Sequence, residues 1–196
     1  MAKRESTFKN MALALFMITA VAGLALASVY SVTEEPIAAS QHAKINNAIK
    51  MVIPEFETMT DTSLMPATGK DSIKVYKLNK GTENTGYAVM TYTDNGFSGR
   101  FTLMVGFTPD DAISNIEVLE HKETPGLGTK MALPAFKDQF KGLKLSDLPG
   151  NELKVKKDGG TVDAITAATI SSRGFCDAVN RAYSTYKSGV KDESAQ

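Results

Sequence analysis

Between Lys9 and Glu34 the chain runs for 24 residues without a charge, and this feature limits its fold more than any other. A helix needs about 20 apolar residues to cross the hydrocarbon of a bilayer. A helix that is apolar on every side has no face to turn to water. Lys3, Arg4 and Lys9 precede the run, and Glu34 and Glu35 follow it. By the excess of basic residues on the cytoplasmic side, the expected topology is a single pass with the N-terminus inside and the remainder outside. Ala25-Leu26-Ala27 resembles a signal-peptidase site. The run is nevertheless longer than the 7–15 residues usual for a signal-peptide core, so an uncleaved anchor is the expectation.

The anchor also divides the charge. Residues 1–33 carry a net +2 and the remainder −2, from 19 basic and 21 acidic residues. No basic field points to nucleic acid. Cys176 is the only cysteine, and His42 and His121 are the only histidines, which rules out a Cys/His zinc site. No loop has the spacing of a calcium site, so no metal is expected.

Beyond the anchor, "EEPIAAS" (34–40) is expected to be a short link. Ile45, Ala48, Ile49 and Val52 recur at helical spacing, with Pro54 ending the run. Residues 59–72 look like a loop by composition. Strands are expected at 73–78, 86–93, 100–108 and 112–121, with Asp94-Asn95-Gly96 as a turn between the second and third. A short helix is expected within 132–142, a strand and turn at 151–160, and a short strand at 162–165. An amphipathic helix carrying Phe175, Ala178, Val179, Ala182, Tyr183 and Tyr186 closes the pattern near Gly189. The class is α+β: an N-terminal transmembrane helix, then an extracytoplasmic domain with an antiparallel sheet and flanking helices. The expected boundaries are 1–9 cytoplasmic, 10–33 transmembrane, 34–70 connecting helix and loop, 71–190 domain and 191–196 flexible tail.

Two segments carry the chemistry. "DAITAATISS" (163–172) gathers Thr166, Thr169, Ser171 and Ser172 before the last helix. One hydroxyl is enough to cap a helix. A helix N-terminus among small residues also suits a phosphate, because free N–H groups and the helix dipole favour an anion there. No general base adjoins these hydroxyls, and neither a G-x-S-x-G nucleophile motif nor a P-loop lysine is present. The second segment, "HKETPGLGTK" (121–130), has Pro125, Gly126 and Gly128 shaping a tight loop whose backbone can approach a planar ligand. By themselves these patterns stop at a capped helix or a phosphate site, and at a plain Pro-Gly turn.

"DAITAATISS" resembles the covalent flavinylation motif Asp-x-x-Ser/Thr-Gly-Ala-Thr of the FMN-binding domain family. Asp163, Thr166, Ala168 and Thr169 match its positions, and Ala167 stands where the motif has Gly. "HKETPGLGTK" is similar to the Glu-Thr-Pro-Gly-Leu-Gly segment of flavin subunits in the Rnf complex and in the sodium-pumping NADH:quinone oxidoreductase. The two motifs, in this order after one anchor, most resemble the G subunit of the Rnf ion-translocating electron-transport complex.

The resemblance implies a redox subunit, without a catalytic residue of its own, in an ion-translocating ferredoxin:NAD oxidoreductase complex. It would sit in the bacterial cytoplasmic (inner) membrane beside the other Rnf subunits. FMN would be held by a phosphoester on Thr169, attached by a separate flavin transferase that takes FAD as donor, uses magnesium and recognises Asp163. Glu123, Thr124, Gly126 and Leu127 would form the flavin pocket, and Thr166, Lys130 and Ser171 would contact the phosphate or ribityl chain. Phe107 and Phe175 are read as core residues ahead of ring contacts, and Cys176 as a small buried residue ahead of a redox thiol. The alternatives are the C subunit of the sodium-translocating quinone reductase and an anchored non-redox binding module.

Overall fold

A computed structural model describes residues 7–193, with side chains to Gly189. Lys3, Arg4 and residues 194–196 of the expected N-terminal segment and tail lie outside the described residues. The chain divides between Lys44 and Ile45 into two compact units.

The first unit is helical. Helix α1 spans Phe8–Val52, and its apolar side chains up to Lys44 are exposed on every side, Leu13, Phe16, Leu24 and Leu26 among them. By length and composition it is the one helix among the described residues able to cross a membrane. Three of its hydroxyls bond back into the helix. Thr19 donates to the Leu15 carbonyl at 3.0 Å, Ser28 to Leu24 at 2.8 Å and Thr33 to Val29 at 2.8 Å. Such back-bonding satisfies a polar group where no solvent is available. The link expected at 34–40 is helical, with Pro36 inside α1. A proline there removes one i→i−4 bond and kinks a helix; long regular flanks on both sides carry the chain through.

The second unit is built on a five-stranded antiparallel meander: β1 (Thr58–Leu64), β2 (Ile73–Lys80), β3 (Glu83–Thr93), β4 (Phe101–Phe107) and β5 (Ile113–Glu120), in that order across the sheet. Side chains alternate across a strand, so each strand feeds two cores. Ile73 and Val75, Tyr87 and Val89, and Phe101, Leu103, Val105 and Phe107 point to one face. Tyr76 and Leu78, Ala88 and Met104 point to the other, where Ala48, Ile49, Val52 and Ile53 cover them. Ser114 Oγ donates to the Val52 carbonyl at 2.6 Å and Asn115 Nδ2 to the Met51 carbonyl at 2.9 Å. Those bonds satisfy carbonyls at the end of α1 that have no partner within the helix.

Further along the chain come helix α2 (Pro134–Lys137) and helix α3 (Thr169–Glu193). Helix α3 covers the larger core with Phe175, Ala178, Val179, Ala182 and Tyr186. Thr91 Oγ1 donates to the Ala178 carbonyl at 3.1 Å, and Thr93 Oγ1 to Asp177 at 2.6 Å. Arg181 donates to the backbone carbonyls of Tyr92 and Thr68. These bonds fix the axial position of α3 on β3, and therefore where its first residue lies.

The differences from expectation are local. Residues 58–64 form β1, an edge strand with nearly every side chain exposed. Lacking a buried face, it shows no hydrophobic alternation, and its partner β2 imposes the strand through backbone pairing. Residues 132–142 fold as the four-residue α2 with 3-10 turns around it. Residues 151–165 contain no strand: turns flank a single parallel bridge between Val155 and Val162. Gly159, at φ +82°, ends the 3-10 turn at 156–158 that lies between the two bridge partners. The last helix continues past Gly189 to Glu193, taking in residues 191–193 of the expected tail.

Candidate functional site

Strand β5 ends at Glu120, and the chain turns through Thr124–Leu127, where the Leu127 N–H donates to the Thr124 carbonyl at 3.2 Å. Gly126 takes φ +76° at the exposed tip, and its N–H donates to Thr129 Oγ1 at 2.9 Å. A 3-10 helix begins at Gly128. Glu123 is buried, with 5% exposure, and its carboxylate ties three segments together. Oε1 accepts the Ser98 N–H at 3.2 Å, and Oε2 accepts the Ser171 hydroxyl at 2.8 Å. Gly128 is required for space: a Cβ there would lie 2.4 Å from Glu123 Oε2 and 2.8 Å from Ser171 Oγ.

The other loop approaches from the opposite side. The Ala168 N–H donates to the Ile165 carbonyl at 2.9 Å, closing a turn whose central residues are Thr166 and Ala167. Ala167 stands at φ +61°. A turn with positive φ at its second central position favours Gly there, which gives a physical reason for the Gly of the flavinylation motif. Ser172 supports the turn, accepting from the Ile165 N–H at 2.9 Å and donating to the Ala168 carbonyl at 3.0 Å. Helix α3 starts at Thr169, directly after Ala168, which has no side-chain oxygen to cap it.

Thr169, Ser171, Glu123, Thr124 and Leu127 line one cavity of about 290 Å³ together with Phe97. Asp163, Thr166 and Lys130 line a neighbouring cavity of about 330 Å³. Asp163 there pairs with Lys156 at 2.7 Å, and its backbone is clamped by Gln139 through N–H···Oε1 at 2.8 Å and Nε2–H···O at 3.3 Å. The nine candidate residues therefore fall into two groups, with Gly126 at the loop tip outside both. Phe107 and Phe175 are fully buried in the core. Burial, with Asp158 nearby, pushes the Cys176 thiol up to about 12, where it is neutral and unreactive.

Three contributors escape a sequence reading. Phe97 belongs to the turn after β3, and only the fold brings it to Thr169; Ile170 follows Thr169 directly in α3, and only the fold shows that it faces the same cavity. Lys157 Nζ lies 3.5 Å from Thr169 Oγ1. Its neighbours spend their charges on other partners, Lys156 on Asp163 and Arg173 on Asp158. Hydrogen bonds from Arg173 hold the Asp158 carboxyl below the usual carboxylate range. The Thr169 cavity thus joins apolar walls (Phe97, Leu127, Ile170) to a hydroxyl at a helix N-terminus with an ammonium beside it. That suits a ligand with an apolar ring system and a phosphate. At the small end of ligand-site volumes, roughly 300 Å³, such a cavity leaves part of a large cofactor outside.

A larger cavity, about 560 Å³, lies between residues 150–155 and α3 from Arg173 to Ser184. Several of its polar groups are already engaged: Asn180 bonds the Leu153 backbone through both amide atoms, and Asp177 holds Thr93 and Arg181. Size alone does not make it the better site, because nothing in it converges on a ligand.

The comparisons with known proteins give the family. Residues 96–184 match the FMN-binding domain family. Over 190 residues the chain is 30% identical to the G subunit of the ion-translocating oxidoreductase complex of Aliivibrio fischeri, spanning 91% of this chain and 89% of that one. The G subunit of the same complex in Methanosarcina acetivorans is 33% identical over 175 residues, 86% of this chain and 88% of its own. The chain belongs to the family of G subunits of ion-translocating oxidoreductase complexes. Another similar member, the G subunit of the proton-translocating ferredoxin:NAD(+) oxidoreductase complex of Clostridium ljungdahlii, is 29% identical over 175 residues, 89% of this chain and 86% of its own. The fold of this family member is that of the C subunit of the Na(+)-translocating NADH-quinone reductase from Parabacteroides distasonis, known from a crystal structure. That likeness has TM-score 0.57 at 19% identity and spans 76% of this chain and 92% of the other. The FMN-binding match runs from Gly96 in the β3–β4 turn to Ser184 in α3, so it contains both loops and the Thr169 cavity.

Proposed function

We propose that this chain is the FMN-carrying electron-transfer subunit of an ion-translocating ferredoxin:NAD oxidoreductase complex of the Rnf type. The cofactor is joined by a phosphoester to Thr169. α1 crosses the bacterial cytoplasmic membrane with its N-terminus inside and packs among the other subunits of the complex. One observation carries the reading: two loops about forty residues apart in sequence meet around a single cavity that Thr169 lines.

The residues divide the work of holding the group. Phe97, Leu127 and Ile170 offer apolar surface to the ring system. The first N–H groups of α3 and the Lys157 ammonium suit the phosphate. Glu123 accepts from the Ser98 N–H and the Ser171 hydroxyl, so it acts as a strut between the pocket walls. When bound, FMN supplies one- and two-electron chemistry. The chain supplies position, exclusion of water and a tether that holds the cofactor on the outer face of the membrane.

A flavin transferase performs the attachment. The bond formed joins Thr169 Oγ to the FMN phosphorus and the bond broken is the pyrophosphate of FAD; AMP leaves, and the hydroxyl proton passes to a base on the transferase. Thr166 and Asp163, the latter paired with Lys156, are exposed beside the neighbouring cavity, where the transferase would read them.

The decisive experiment is intact mass and peptide mapping of denatured protein from its own host. The expected result is one FMN less one water on the peptide containing Thr169, absent from Thr169→Ala. An unmodified Thr169 peptide in a host with an active transferase overturns the reading.

A further inference from the structure

Phe97 is 66% exposed, a costly position for an aromatic ring, which forgoes the gain of leaving water. The backbone that presents it is nevertheless tightly mounted. The Ser98 N–H is held by Glu123 at 3.2 Å, the Gly99 N–H by the Gly96 carbonyl at 3.3 Å, and the Asn95 N–H by Thr93 Oγ1 at 3.1 Å. A Cβ on Gly96 would stand 2.2 Å from the Gly99 carbonyl oxygen and 2.7 Å from Glu123 Oε1. On α3, a Cβ on Gly174 would stand 3.1 Å from the Asn95 carbonyl oxygen, so the turn rests against the helix that starts at Thr169. Two glycines and a buried carboxylate hold in place a turn whose phenyl ring covers nothing in its own core.

That ring lines the Thr169 cavity. Leu127, 39% exposed, and Ile170, 48% exposed, line it as well. Three exposed apolar side chains from three separate segments thus converge on one slot that Thr169 also lines. Surface apolar residues scattered singly need no explanation, but a convergent set does.

We propose that Phe97 is the residue against which the flavin ring packs, and that Glu123 sets its position through the Ser98 N–H. This rests on Thr169 being the attachment point. Phe97 is a positioning residue: it shields one side of the ring from water and limits where the tethered group can swing.

The test uses the full-length, flavin-loaded protein with Phe97→Trp, Phe97→Ala and, as control, Met65→Trp at an equally exposed position far along the chain. Mass mapping first establishes FMN on Thr169 in each. An indole in contact with a flavin quenches its fluorescence by electron transfer, and this requires near contact. The expected result is several-fold lower flavin fluorescence in Phe97→Trp than in wild type or Met65→Trp, with the difference lost on denaturation. Phe97→Ala is expected to make the flavin more accessible to iodide quenching. Equal fluorescence in Phe97→Trp and Met65→Trp, with FMN attached in both, overturns the proposal and leaves the carrier reading standing. Absence of FMN from Thr169 in the wild type overturns the carrier reading, and this proposal with it.

Discussion

In the 121–130 loop the residue with positive φ is Gly126, at +76°, and a Cβ placed on it meets nothing within 4 Å. In the 163–172 loop the corresponding residue is Ala167, at +61°, which already carries its Cβ. The first loop therefore needs its glycine only for backbone freedom, and its true steric demand lies two residues on, at Gly128. The second loop holds an L-residue in a region that costs about 1–2 kcal/mol, and the bonds of Ser172 and the start of α3 over-determine it. The difference separates two roles of small residues around a cofactor. Some make room for neighbouring atoms, and others permit a turn.

The largest expected effect comes from Gly128→Ala. Its methyl group would fall 2.4 Å from Glu123 Oε2, between that carboxylate and Ser171. Overpacking costs about 1–3 kcal/mol, and opening the buried Glu123–Ser171 bond adds about 1–3 kcal/mol more. The expected loss is about 3 kcal/mol, read as a lowered Tm of the flavin-free protein in detergent. Gly126→Ala at the open tip should cost about 1 kcal/mol, since only the strain of positive φ applies. If Gly126→Ala costs as much as Gly128→Ala, the distinction between the two glycines fails.

Ala167→Gly sharpens the comparison from the other side. Relief of about 1–2 kcal/mol of strain is opposed by about 0.5–1 kcal/mol of added freedom in the unfolded chain. The expected net is a stabilisation of about 0.5–1 kcal/mol, one of the few sites where introducing glycine raises Tm. A fall in Tm would show that the Ala167 methyl makes contacts worth more than the strain it bears.

Legibility in the sequence follows the same division. The anchor is legible because charge is absent from 24 consecutive residues, α3 because its apolar residues keep a helical period, and β2–β5 because β-rich apolar runs lie between turn signals. β1 is not, since an edge strand with no buried face carries no pattern to read. The turns of 151–165 look like strands because Leu153, Val155 and Val162 are buried and alternate with polar residues while the backbone between them is coiled. Thr169, Glu123 and Leu127 stand out through short motifs. Phe97 and Lys157 do not, because the one sits on a hairpin tip and the other on a 3-10 turn, and only the packing of α3 on β3 brings them to the hydroxyl. The departure of Ala167 from the motif is visible as a letter, but its meaning comes with its φ.

The smallest expected effect concerns Lys157. Its ammonium is 3.5 Å from Thr169 Oγ1 and exposed on a turn, so water and salt screen it. An exposed charge pair is worth about 1 kcal/mol at most, and a phosphoester at Thr169 would gain no more than that from it. Lys157→Met should therefore slow flavin transfer onto Thr169 by at most about fivefold at low ionic strength. The effect should fade as salt shortens the Debye length below about 10 Å. Lys157→Arg should transfer at the wild-type rate, and Lys156→Met should act differently, because Lys156 is paired with Asp163. Measuring transfer by in-gel flavin fluorescence across a salt series separates these cases. A Lys157→Met defect that persists at high salt would mean that the lysine positions the turn itself, placing it with Gly128 among the residues that shape the cavity and removing it from those that neutralise charge there.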